Sequence, residues 1–281
     1  MIDYYLLTKP GILLGNLVPF AAGFLLASKG SFNPWLFIVT VIGLTLIMAS
    51  SCVFNNYINR HVDKKMERTK KRALVTGLIS ARHAIIYAVI LGLAGFVLLY
   101  TYTNVLTVAV AALGFFVYVV LYSILKGHTI YGTAIGSVSG AVPPIVGYCA
   151  VSNQLDAGAW VLFAMLVLWQ MPHFFAIAVY HFDDYKKAEL PLLPIVKGMM
   201  RTKIQMMLYI AAFLVASLLL TAFEYTGYVY LGVAMSVGLA WLGLCVKGFS
   251  SEDDQLWGRR MFQMSLVVIM AICFVIPLDR A

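Results

Sequence analysis

Residues 35–72 read WLFIVTVIGLTLIMASSCVFNNYINRHVDKKMERTKKR. The first twenty-two positions carry no charge, and the last nineteen hold three asparagines, two acids and a dense block of Lys and Arg. About 20 apolar residues are needed to cross a bilayer as a helix, so this stretch reads as a membrane span running into a polar loop. Working outward, eight further stretches of the same kind follow: roughly 11–28, 84–102, 105–125, 130–151, 158–180, 204–222, 227–247 and 261–278, giving nine with 35–56. Composition agrees: of 281 residues, 62% are hydrophobic and 11% charged, with a mean hydropathy of +0.90, which excludes a water-soluble domain. The expected fold class is an all-α polytopic membrane protein, one domain over residues 1–281.

Eighteen of the twenty Lys and Arg fall on one side of these spans, leaving Lys29 and Arg280 opposite. By the positive-inside rule the N-terminus faces the cytoplasm and the C-terminus the outside. The net charge of +8 is therefore a topology signal and not a nucleic-acid footprint. The long polar loops, 57–83 and 181–203, lie on the inner side, so chemistry is expected there. The four cysteines, all within spans and without C-x-x-C spacing, read as buried structural thiols. Gly132, Gly136 and Gly140, four residues apart, suit close helix packing in lipid.

If the second span stays helical past the membrane edge, Asn55, Asn59, Asp63 and Glu67 share one face. They form a ladder of oxygen ligands, the kind Mg²⁺ takes alongside water and substrate phosphates. Lys64, Lys71 and Arg72 stand beside it to hold phosphate charge. Intramembrane polar residues are functional candidates by default, although the same residues could serve as helix caps and a topology-setting loop.

The string FNNYINRHVDKKMERTKKRALVTGLIS (54–80) resembles the first Asp-rich motif of UbiA-type intramembrane prenyltransferases, and in particular their protoheme IX farnesyltransferase branch. LTKPGI (7–12), VYVVLYSILKGHTIYGTAIGSVSGAVPPIVGY (117–148) and WQMPHFFAIAVYHFDDYKKAELPLLPIVKG (169–198) resemble that branch in the same order. The resemblance implies nine helices around a central cavity open to the cytoplasm. It implies transfer of farnesyl from farnesyl diphosphate to a vinyl group of protoheme IX, with water added and diphosphate released. Mg²⁺ would accompany the diphosphate; Asn55, Asn59, Asp63 and Glu67, with Asp183 and Asp184, would be its ligands and the catalytic set. Lys64, Lys71, Arg72, Lys126 and Lys187 would bind diphosphate. His173, where quinone-directed relatives carry an acid, is the first candidate for haem contact and His128 the second. Tyr118 and Tyr122 would sit at the cavity mouth.

The chain departs from the family motif N-N-x-x-D-x-x-x-D by Asn59 at the middle acid, with His61 where an acid is also usual. An amide oxygen brings no charge, so weaker metal binding is expected. Expected partners are the two substrates, the bilayer, and heme A synthase or terminal-oxidase assembly factors. The absence of a transit-like extension before the first span suggests a bacterial inner membrane. Two alternatives stay open: a quinone-type acceptor, and a haem-binding assembly protein without catalysis, which would leave the Asn/Asp ladder unemployed.

Overall fold

Helix starts in this chain are set by local chemistry. Pro10 and Pro34 open the first two spans, where a missing N–H costs nothing. Asn33, Ser80, Asn104, Asp156 and Asp253 cap spans two, three, four, six and nine, each side-chain oxygen accepting the backbone N–H three positions on. The computed structural model describes residues 2–280. Among these, nine helical segments are long and apolar enough to cross a membrane: Pro10–Ser28, Pro34–Ile58, Ala81–Tyr102, Val105–Leu125, Gly132–Ser152, Ala157–Tyr180, Met199–Ala222, Tyr228–Ser250 and Asp254–Val275.

Each span packs on its successor, and the ninth packs on the first, closing a ring. The first and fifth spans, and the sixth and ninth, also pack extensively on each other. Small residues allow the closest approaches. A Cβ on Gly95 of the third span would lie 2.7 Å from the carbonyl oxygen of Gly43 in the second. Gly147 of the fifth span lies against the Phe20 backbone of the first in the same way. With lipid outside and no hydrophobic drive between helices, such contact is what holds spans together.

One apolar core joins the sixth to ninth spans around Trp241, Phe213 and Met165, and a second joins the first five around Phe20, Phe24 and Leu99. All four cysteines are free and buried, as their positions in the spans predict. Two spans are irregular. The fourth passes through a π-helical turn at Val117–Tyr122, and the fifth breaks at Ala141 between helices Gly132–Gly140 and Val142–Ser152.

Candidate active site

At the basic end of the ring the second span ends at Ile58, with Asn59 leaving helical geometry at φ −90°, ψ 7°. The four-residue spacing nevertheless persists: the Asn59 N–H donates to Asn55 O at 3.0 Å and the Asp63 N–H to Asn59 O at 2.8 Å. Asn55, Asn59 and Asp63 are all buried. The ladder then stops. Thr69 Oγ1 donates to the Asp63 carbonyl at 2.8 Å and pulls the chain into a turn, leaving Glu67 exposed and paired with Lys70. The four-rung helical face expected from the sequence is thus a three-rung face without Glu67.

What surrounds these rungs is cationic. Lys9 Nζ donates to Asn55 Oδ1 at 2.6 Å, and Asn55 Nδ2 donates to Ser123 Oγ at 2.9 Å, tying the first, second and fourth spans together. Arg72 Nη1 donates to Asp63 Oδ2 at 2.6 Å and to Asn56 Oδ1 at 3.1 Å. Asn56 in turn donates to the Leu7 carbonyl. Desolvation, helped by Arg72 and Lys126 and opposed by Cys52 and Asp63, lowers the Lys9 ammonium to about 8. Lys126 is raised, first by Tyr122 and then by Tyr185 and Asp63 working against its burial. Arg72 therefore pairs directly with Asp63 and Lys9 with the neighbouring rung Asn55, and Lys126 feels the Asp63 charge without touching it.

Lys9 is absent from the sequence-derived site. It stands directly before the helix-opening Pro10 with φ 55°, a left-handed backbone uncommon for a residue with a side chain.

The second acidic pair is split. Asp184 accepts the backbone N–H groups of Glu67 and Arg68 at 3.3 and 3.4 Å, whereas Asp183 accepts from Gln255 of the ninth span at 2.8 Å. Met66, buried among Tyr185, Ala188 and Leu190, and the Lys65–Glu189 pair at 3.1 Å fasten the same two loops. Lys64, Lys71 and Lys187 are exposed at this end. Lys71 joins Arg68, Arg72 and Asn56 in lining a cavity of about 240 Å³.

His173 and His128 are not equivalent. His173 stacks on Trp169 (4.7 Å, 24°) and lies 5.1 Å from the Phe262 ring. Its Nδ1 is hydrogen-bonded to Ser265 Oγ at 2.7 Å, which leaves Nε2 as the unengaged nitrogen. His128 is exposed on the turn after the fourth span. Tyr118 and Tyr122 stack at 5.3 Å, with Lys126 Nζ 5.8 Å from the Tyr122 ring centre; Gly136 leaves room for Tyr122, since a Cβ there would lie 2.9 Å from that ring.

Nine ringed spans thus carry buried amide and carboxylate oxygens, with cations beside them, at one end. Residues 16–267 match the model of the UbiA prenyltransferase family. The chain belongs to that family. This UbiA-family chain is 55% identical over 280 residues to the protoheme IX farnesyltransferase of Protochlamydia amoebophila (strain UWE25), covering 99% of both chains. It is 51% identical over 281 residues to that of Serratia proteamaculans (strain 568), covering 99% of this chain and 95% of the relative. Solved structures share the fold at lower identity. A digeranylgeranylglyceryl phosphate synthase superposes with a TM-score of 0.81 at 15% identity, over 99% of this chain and 97% of the other. A UbiA homologue from Archaeoglobus fulgidus bound to GPP and Mg²⁺ does so at 0.71 and 16%, over 98% and 99%.

Among the described residues, no three His, Cys, Asp or Glu side chains stand close enough to hold a metal by themselves. The donors present still fit Mg²⁺ carried by a diphosphate. That ion keeps waters and asks the protein for one or two carboxylates. Asp63, one turn from Asn59, has one oxygen on Arg72, and among the described residues no donor engages its other oxygen.

Proposed function

We propose that this protein transfers the farnesyl group of farnesyl diphosphate to a vinyl group of protoheme IX, adding water and releasing diphosphate to give heme O. The observation that carries the reading is the convergence of Lys9, Arg72 and Lys126 on the buried Asn55–Asn59–Asp63 face, in a chain more than half identical to proteins named for that reaction.

Lys9, Arg72 and Lys126 hold the diphosphate. Fixed cations in a water-poor pocket stabilise the charge that develops as the allylic C–O bond breaks, far more than they would in bulk water. Asn55, Asn59 and Asp63, with Asp184 once freed from the 67–68 backbone, would hold Mg²⁺ through their oxygens. Bound there, Mg²⁺ would neutralise part of the leaving group's charge. Lys64, Lys71 and Lys187 draw the anion to the mouth, while Glu67 and Asp183 are occupied by Lys70 and Gln255 and stay outside the site. The porphyrin lies against the Trp169–His173–Phe262 aromatic wall, with His173 Nε2 toward the macrocycle. Ser265 fixes the imidazole so that this nitrogen needs no reorientation. His128, exposed at the mouth, has no comparable setting.

The multi-pass membrane location follows from the spans and the family; we place the protein in a bacterial inner membrane with this site facing the cytoplasm. Purified protein with farnesyl diphosphate and Mg²⁺ should release diphosphate when protoheme IX is added and not when a phenolic acid is. Release with the phenolic acceptor instead would assign the chain to quinone-type chemistry.

A further inference from the structure

A polar group deep in the ring is unused by this account. Gln170, on the sixth span one residue from Trp169, is 5% exposed, and its Oε1 is buried without a hydrogen-bond partner. An unpaired buried amide is costly, and more so in a membrane span. The group is held in place deliberately: a Cβ on Gly140 would overlap the Gln170 amide, so glycine at that position makes its space.

Gly140 is also where the fifth span breaks, before Ala141. Pro143 and Pro144 follow, and neither has an N–H, so the carbonyls of Ser139 and Gly140 lose their helical donors four residues on. Ser139 Oγ does not compensate, because it donates back to the Gly136 carbonyl at 2.8 Å. The Gln170 amide thus stands inside an apolar ring against Gly140, whose carbonyl Pro144 leaves without its helical donor. Both groups are uncharged, which suits a neutral molecule over a metal ion, and a buried water takes two to four such partners.

We infer that Gln170, with the helix break at Gly140, holds the water that is added to the acceptor. The inference rests on the proposed function. Gln170 precedes His173 by three residues, about 4.5 Å along the helix, so it adjoins the wall assigned to the porphyrin. When the farnesyl C–O bond breaks, its electron pair leaves with diphosphate. The vinyl π pair forms the bond from the terminal vinyl carbon to farnesyl C1, leaving a cation on the carbon next to the macrocycle. A lone pair of the held water closes the new C–O bond, and the released diphosphate takes the water's proton. Without a water in place, the same cation loses a proton from the adjacent CH₂ and becomes an alkene, lighter by one water.

Product identity therefore tests the inference. Gln170→Leu removes the amide at similar size, and Gly140→Ala displaces it. Haem products of both variants and of the unsubstituted protein are compared by mass spectrometry, with each variant's amount in the membrane matched by immunoblot. We expect the ratio of unsaturated to hydrated adduct to rise about tenfold or more in at least one variant, as loss of a buried hydrogen-bonding site implies. Gln170→Glu, which keeps a carbonyl oxygen, should stay mainly hydrated. If neither variant yields unsaturated adduct, whether through unchanged hydrated product or through none, the inference is overturned. If the unsubstituted protein makes no farnesylated haem, the proposed function has failed first and takes this inference with it; an intact wild-type reaction isolates the failure to Gln170.

Discussion

At residue scale, the site is a balance of charge. Asn59 supplies an oxygen but no charge, so Asp63 is the anionic rung of its face. Asn59→Asp should lower the Mg²⁺ concentration for half-maximal activity several-fold, within the range of about 1–3 kcal/mol expected for one added charge contact; an unchanged Mg²⁺ titration would contradict the assignment. Arg72→Met leaves Asp63 buried without its partner, a change that costs about 3–5 kcal/mol when a pair is fully buried and less here because Arg72 is 30% exposed. It should lower both the unfolding temperature in detergent and the affinity for farnesyl diphosphate. Lys9 gives the pH signature. A lysine is charged below its pKa, so with a value near 8 its attraction for diphosphate is present at pH 7 and fades as pH rises through 8 to 9. KM for farnesyl diphosphate should climb over that window, and Lys9→Arg should remove the climb; a parallel climb in the arginine variant would assign the titration elsewhere. Of these residues, Asn59 and Asp63 were legible in the sequence because helical spacing puts them on one face. Lys9 was not, because it meets Asn55 across forty-six positions of chain, and no local pattern encodes that contact.

At the scale of elements, the spans were readable to within a few residues for most of their ends, since hydropathy and caps such as Asn33 and Asp156 act locally. The widest miss is the ninth span, which starts at Asp254 and not near 261. Its first turns are polar, and they are helical because Asp253 caps them and Trp257 packs in, donating to the Leu244 carbonyl at 3.0 Å. Glu67 was misplaced for the opposite reason: extrapolating a helix past Asp63 ignores the Thr69 bond that turns the chain. The glycine line of the fifth span was legible as close packing, but what each glycine admits, Tyr122 at Gly136 and Gln170 at Gly140, is known only from the fold. Overpacking costs about 1–3 kcal/mol, and Gly95→Leu places its bulk against the Gly43 backbone. Its unfolding temperature, followed by fluorescence-detected size exclusion, should fall clearly, whereas Gly232→Leu, with open space at its Cβ, should leave it nearly unchanged. Equal shifts in the two would contradict the packing account of the second and third spans.

At the scale of the molecule, the ring gathers charge at one end and leaves the rest to apolar chains. The two basic loops are joined by Asp184, Met66 and the Lys65–Glu189 pair, so they form one cover over the site. We place that cover in the cytoplasm, where the positive-inside rule puts the end richer in Lys and Arg. A reporter enzyme active only outside the membrane should work when fused after Arg280 and fail when fused within the loop 64–71; the reverse pattern would invert the orientation. The central claim joins this architecture to one product. Membranes containing the protein, incubated with protoheme IX, farnesyl diphosphate and a series of Mg²⁺ concentrations, should yield haem heavier by one farnesyl group and one water, detected by mass spectrometry and absent from membranes lacking the protein. Haem that binds but gains no farnesyl group at any Mg²⁺ concentration would contradict the account.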